Sequence, residues 1–295
     1  MFDQRWFLII FILIFVILLI ICIIYVGKKV TYNKNKIKKF KNETKSFVIN
    51  LDKNTDRLKH FMDSYQKSDI NDIPIERFNA INGKEVDLKK YVTTRAYDQI
   101  ISAETNGYRL RHYELTRGAV GCFLSHTALY KKLLDDPDHE YYFIFEDDSY
   151  IPPSVIKPMQ FYMENAPSDW DMMLFGVIRE VLEPKDSATF QKESWAKYYD
   201  KVKIWWGLFG YAINKKGAKR FLDELTEEKR IDKQIDSMMS MMVKDKQLVV
   251  YSTGVHLVKH DANGSSDIQL PIKIQSDVNP YKYENVELFT NYNEY

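Results

Sequence analysis

Two cysteines occur in 295 residues, Cys22 and Cys122. Cys22 sits inside an apolar run, so Cys122 is alone in the rest of the chain. No intramolecular disulfide can staple that part, and no cysteine-rich zinc site can form. Glycine-rich phosphate cradles are also missing: neither G-x-G-x-x-G nor G-x-x-x-x-G-K-[ST] is present, which argues against a phosphotransferase built on such a loop. A net basic charge is lacking outside the N-terminus. Residues 1–45 hold nine Lys/Arg against two Asp/Glu, or +7, and the other 250 carry 33 against 39, or −6. A nucleic-acid partner would need a dense basic surface, and none is expected. Internal repeats are absent, and no low-complexity segment exists beyond the lysine-rich stretch.

One long apolar run is present. Residues 6–26 are unbroken apolar sequence, and 21 residues of helix at 1.5 Å each span roughly 31 Å, the thickness of a bilayer's hydrocarbon core. A signal peptide has an apolar region of only about 7–15 residues and a small-residue cleavage site. This run ends in Ile24, Tyr25, Val26 and Gly27. The expected organisation is a short tail at 1–5, a single transmembrane helix at 6–27, a basic stem at 28–45 and a globular domain at 46–295. Seven lysines within 28–41 favour a cytoplasmic body by the positive-inside rule, whereas a type II enzyme of the secretory pathway would place it in the lumen. The sequons at Asn42 and Asn263 permit the second topology, which stays open. The basic stem suits anionic lipid headgroups.

Beyond the stem, strand and helix patterns alternate, which predicts an α/β fold with a mostly parallel sheet. Strands are expected at 46–52, 75–82, 141–148, 171–177 and 207–214, with a final extended stretch at 248–260. Helices are expected at 56–67, 115–135 and 215–225, and the methionines at 238, 239, 241 and 242 fall mainly on one helical face, as core residues do. Residues 92–111 read as an irregular loop with a short helix, and 180–203 as an aperiodic excursion.

Glu146, Asp147 and Asp148 follow five apolar or aromatic residues, so a buried strand delivers three acids at its C-terminal end, the edge where open α/β sheets bind ligands. Adjacent carboxylates repel and are costly to desolvate without a cation, and oxygen ligands favour Mg²⁺ or Mn²⁺. Alternation along the strand puts Glu146 and Asp148 on one side and Asp147 on the other. An acidic turn capping a helix is the plainer alternative.

Four blocks in order resemble glycosyltransferase family 25: VINLDKNTDR at 48–57, RFNAINGKE at 77–85, LTRGAVGCFLSH at 115–126 and FIFEDD at 143–148. GLFGYAINKKGAKRFL at 207–222, IDKQID at 231–236 and SSDIQ at 265–269 also fit, so the likeness covers about 46–270. The resemblance implies a GT-A-like nucleotide-sugar-binding fold and inverting transfer of a sugar from a UDP-sugar to a glycan, glycolipid or glycoprotein acceptor. UDP-galactose is the expected donor, after the family's commonest sugar. It further implies a Mn²⁺ or Mg²⁺ ion held by Glu146 and Asp148, with Asp147 on the donor ribose or a water. His260 is the expected histidine of the metal set, with His256 as its rival. Inversion needs a base for the acceptor hydroxyl. Asp236 occupies the family's position for it, with Asp232 and Asp171 as alternatives. Asn50 and Arg57 are expected in the nucleotide pocket, Arg57 on the diphosphate or merely pairing with an acid. Ser125 and His126 brace the donor site or form a buried structural pair. Cys122 reads as core, as do Trp205 and Trp206, although the tryptophans suit an acceptor sugar. The competing function is a membrane-anchored glycan-binding or scaffold protein with the same fold and no activity.

Overall fold

The computed structural model describes residues 4–109, 114–183, 199–226, 230–261, 268 and 273–274. The chain divides into two compact units, Met1–Glu43 and Thr44–Tyr295. The first is a single helix, α1 (Gln4–Glu43), about 60 Å long at 1.5 Å per residue. Its apolar side chains over residues 14–26 are exposed, and it is apolar enough to cross a membrane. The helix does not stop at the expected stem boundary. Lysine is a good helix former, so the lysine-rich segment continues it.

The second unit comprises, in chain order, β1 (Lys45–Asn50), α2 (Thr55–Lys67), β2 (Ile75–Asn79), α3 (Leu88–Tyr91), α4 (Thr94–Asn106), β3 (Tyr108–Arg109) and α5 (Arg117–Asp135). There follow β4 (Tyr141–Glu146), β5 (Ser149–Tyr150), α6 (Ile156–Glu164), β6 (Met172–Gly176), β7 (Arg179–Leu182), β8 (Asp200–Trp206) and β9 (Gly210–Asn214). The chain then forms α7 (Lys215–Glu224), α8 (Ile235–Lys244), β10 (Val250–Ser252), β11 (Lys259–His260) and β12 (Lys273–Ile274). Eight strands form one mixed sheet in the order β2-β1-β4-β9-β6-β10-β8-β7. Pairs β2–β1, β1–β4 and β6–β10 are parallel; β9 is antiparallel to both β4 and β6, and β8 to both β10 and β7. Six strands therefore share a direction and two are reversed. The expectation of a mostly parallel sheet holds for direction but not for pairing, because β9 is inserted between β4 and β6 and β8 between β10 and β7.

Alternation along β4 builds the core on both faces. Tyr142 and Ile144 join a cluster with Phe123 and Tyr130 of α5 and Phe221 of α7. Phe145 packs on Phe61 of α2 at 5.8 Å between ring centroids, and Phe143 on Phe175 at 5.0 Å. Several strands of the expected set end early: β1 stops at Asn50, β2 at Asn79, β4 at Glu146 and β6 at Gly176, and the stretch at 248–260 breaks into β10 and β11. Residues 92–111 hold the expected helix, but α4 is 13 residues long and takes up most of the segment. Thr93 caps it by accepting from Ala96 N, left-handed Gly107 (φ 76°) ends it, and Ala96, Ile100 and Ala103 are its buried stripe. The rest of the segment is polar, which hides that period.

Candidate active site

The C-terminal ends of β1 and β4 meet the start of α2 and one face of α5 around a cleft of about 320 Å³. Glu146 continues the phase of Tyr142 and Ile144, so it faces α5. There His126 Nε2 lies 3.2 Å from its Oε1 and Cys122 Sγ 3.9 Å. Asp147 has the opposite phase and faces α2. Asn50 Nδ2 donates to its Oδ2 at 2.7 Å, and Arg57 Nη2 pairs with its Oδ1. The strand has ended by Asp148, and alternation no longer governs. The turn brings its Oδ2 to 3.1 Å from the same Arg57 nitrogen and 3.9 Å from His260 Nε2.

His260 is delivered by a short antiparallel pairing of β11 with β5, in which it lies opposite Ser149. Asp261 N donates to Asp148 O at 2.6 Å, and the His260 ring stacks on Phe209 with centroids 4.6 Å apart. Gly176 and Gly210 let this segment approach, since a Cβ on either would collide with Val258. The rival histidine goes elsewhere: His256 Nε2 lies 3.7 Å from Glu180.

The block Gly121-Cys122-Phe123-Leu124-Ser125-His126 acts through positions i, i+1, i+4 and i+5, one face of α5. Gly121 abuts the turn after β2, where a Cβ would strike Ile81 O and come within 2.7 Å of Gly83 N. Ser125 Oγ donates to Gly121 O at 2.7 Å and accepts from Ile81 N at 2.8 Å, stitching the same seam. His126 is fully buried; Nδ1 lies 2.6 Å from Tyr211 Oη, which lies 2.8 Å from Tyr130 Oη. A Gly121→Ala variant is expected to lose about 1–3 kcal/mol from overpacking against backbone. The urea unfolding midpoint measures it, and an unchanged midpoint would show that the seam yields freely.

Asn50 is buried and, like Asp236 and His260, is not among the residues that line the cleft. Its Oδ1 accepts from Arg77 Nε at 2.8 Å, which fixes the amide's orientation, and Nδ2 donates to Asn54 O at 3.0 Å as well as to Asp147. Asn50 therefore holds Asp147 in place. Arg57 pairs with two acids of the tripeptide.

Burial pushes Glu146 up to about 8, reinforced by Asp147 and opposed by Arg57. Burial also raises Asp148, with Glu146 adding and Arg57 and His260 opposing. His126 is driven down to about 3 by burial, so its imidazole is neutral. Burial, helped by Glu146, pushes the Cys122 thiol up, and it is no thiolate nucleophile. Asp236, at the start of α8, accepts from Gly207 N at 2.9 Å and Ser237 N at 2.7 Å. Burial raises it and the Gly207 hydrogen bond opposes; its charge in turn acts on Glu146 and His126. The other candidate bases lie apart. Asp171 precedes β6, at the opposite edge of the sheet, held by Arg220 at 2.6 Å, Lys216 at 3.3 Å and Val249 N at 2.8 Å. Asp232 pairs with Arg95 and Lys233. Trp205 is buried and Trp206 half-buried beneath Arg179.

Two of the three acids pair with Arg57 and the third faces α5, which leaves an excess of negative charge, and among the described residues Asp148 Oδ1 is buried with no hydrogen-bond partner. That orphaned oxygen is what a hard divalent cation would satisfy, so the residues present fit such an ion. Sequence reasoning missed Cys122 at this centre, although its i, i+4 spacing with His126 was the available signal. Arg77 and Tyr211 were also missed, and they act only through neighbours. The SSDIQ block lies outside the described residues apart from Ile268, which lines the cleft.

Residues 43–239 match the family model described as Glycosyltransferase family 25 (LPS biosynthesis protein). An Anopheles gambiae protein named Glycosyltransferase 25 family member is 29% identical over 189 residues, covering 60% of this chain and 28% of that one. Putative glycosyltransferase R655 of Acanthamoeba polyphaga mimivirus is 27% identical over 188 residues, with coverages of 61% and 52%. Procollagen galactosyltransferase 2 of Homo sapiens is 26% identical over 180 residues, with coverages of 60% and 27%. The match thus spans about half or less of the length of these relatives. Among solved structures, A197 from STIV overlays with a TM-score of 0.37 at 13% identity, covering 79% of this chain and 100% of that one, too slight a likeness to name the fold.

Proposed function

The chain belongs to glycosyltransferase family 25, and from that premise we propose an inverting, divalent-cation-assisted transfer of a sugar from a nucleotide-sugar donor bound in the cleft. Residues 46–295 are the transferase domain in this reading, with a GT-A-like fold, 6–27 the membrane span and 28–45 the stem. The observation that carries it is the acidic tripeptide at the end of β4, with its orphaned Asp148 oxygen and shared Arg57.

Glu146, Asp148 and His260 would hold Mn²⁺ or Mg²⁺, which when bound supplies Lewis-acid stabilisation of a departing nucleoside diphosphate. The protein's own residues do the rest. Arg77 orients Asn50, Asn50 and Arg57 fix Asp147, and His126 steadies Glu146 from the α5 side. Asp147 then faces the donor ribose or a water. Asp236 takes the proton from the acceptor hydroxyl; its burial raises its basicity towards the working pH, as general-base chemistry favours. UDP-galactose is the proposed donor, in keeping with the procollagen galactosyltransferase named above, and a glycan, glycolipid or glycoprotein the acceptor. The intact acidic cluster favours this reading over an inactive scaffold.

Full-length protein in detergent, given Mn²⁺ and each nucleotide sugar in turn, should hydrolyse one donor slowly and transfer its sugar when acceptors are added. No turnover and no nucleotide binding with any donor would sink the proposal.

The buried acids also predict how stability varies with pH. Glu146 and Asp148 retain protons in the folded state that the unfolded chain releases near pH 4, so their stabilisation is lost as pH rises through the folded values, up to about 8 for Glu146. His126, depressed to about 3, acts the other way only below its unfolded value of 6.5. In EDTA the Tm is expected to fall between pH 6.5 and 8.5, on the order of a few degrees, and Mn²⁺ at pH 8.5 should restore it. A flat profile in EDTA would contradict this.

A further inference from the structure

We propose that the cleft floor contains a second ligand set, Cys122, His126 and Glu146, which takes a soft divalent cation of the Zn²⁺ class, and that such an ion switches the transferase off by engaging Glu146. The binding half stands on geometry alone; the inhibitory half rests on the function proposed above.

One ligand atom from each of these three residues lies within 4.8 Å of the other two. Two come from one face of α5 at i, i+4 and the third from the end of β4, so each backbone is held by a different rigid element. The donor types are sulfur, imidazole nitrogen and one carboxylate oxygen, a set that suits Zn²⁺ and not Mg²⁺. His126 is oriented as ligating histidines usually are, with the far nitrogen tied to a hydrogen-bonding partner. Here Tyr211 Oη lies 2.6 Å from Nδ1 and is itself backed by Tyr130. All three residues line the cleft, which gives an ion its entry. On binding, the Cys122 thiol and the Glu146 carboxyl release their protons to solvent. The imidazole carries its proton on Nδ1, donating to Tyr211, whose hydroxyl turns to Tyr130.

Glu146 belongs to both sets. An ion held among Cys122, His126 and Glu146 fixes that carboxylate on the α5 side, where it already lies, so it is no longer free to serve the hard-cation set with Asp148 and His260. Competition is therefore built in at a single side chain.

The test uses full-length protein in detergent, with Zn²⁺ alone and Co²⁺ as a spectroscopic substitute. Zn²⁺ should protect Cys122 from alkylation, read on its own peptide by mass spectrometry so that Cys22 does not interfere. Co²⁺ should give a thiolate charge-transfer band that Cys122→Ser abolishes. The same variant should weaken Zn²⁺ binding at least about tenfold, since loss of even an outer partner costs 10–100-fold, and should raise the Zn²⁺ concentration that half-inhibits transfer by a similar factor. Equal Zn²⁺ affinity in Cys122→Ser, with neither a band nor protection in the parent, would overturn the site. A band and protection without inhibition of transfer would overturn only the inhibitory half. A band and protection in a protein that turns over no donor would leave the site standing and count against the proposed function.

Discussion

Asp148→Asn should lower transfer by on the order of 10³-fold, the several kcal/mol that a cation-held diphosphate represents, while making the folded protein more stable. The two effects have one cause. Asp148 lies beside Glu146 and Asp147 with a buried oxygen that no described residue satisfies. Removing its charge relieves repulsion in the absence of a cation and removes an expected ligand in its presence. The check is a pair of measurements at pH 8: Mn²⁺ affinity by calorimetry should weaken, and Tm in EDTA should rise. Lost activity with unchanged Mn²⁺ affinity would move Asp148 out of the metal set. A fall in Tm would mean that its contact with Arg57 outweighs the repulsion.

Asp236→Asn is the second large effect. General-base catalysis contributes about 10²–10⁴-fold, so kcat for transfer should drop by that range with donor KM little changed. Asp236 accepts from Gly207 N and Ser237 N through different oxygens. The amide therefore turns one acceptor into a donor facing an N–H, and Tm must be read beside kcat. A folded variant with full kcat would reassign the base.

These two acids show how unevenly the site was legible. Glu146-Asp147-Asp148 announced itself because an apolar strand ended in three charges, and β4 does deliver them to the sheet's C-terminal edge. Strand alternation also anticipated the split of Glu146 from Asp147, one towards α5 and one towards α2. It failed at Asp148, one residue past the strand's end, where a turn sets direction. Asn50 illustrates a different limit. Its position at the end of β1 was readable, but its partners Arg77 and Asp147 lie 27 and 97 positions away, and nothing local reveals that its amide is fully engaged. The reversed strand β9 was invisible for a related reason: a buried central strand has the same apolar pattern in either direction. The length of helix α4 was the avoidable miss: a short helix was expected there, and Thr93 and Gly107, ordinary start and stop signals around a weak stripe, mark its full extent.

The seam between Gly83 and Gly121 bears on how such a site can diversify. The turn after β2 approaches α5 through missing methyl groups, and that approach brings Asn82, Gly83 and Lys84 to the cleft wall. Cleft width on this side is therefore governed by hydrogen atoms at two positions. A carbon added at either glycine would strike backbone, Arg117 O from Gly83 and Ile81 O from Gly121, so a lineage that needed a roomier pocket for a bulkier sugar could move this wall only by shifting turn and helix together.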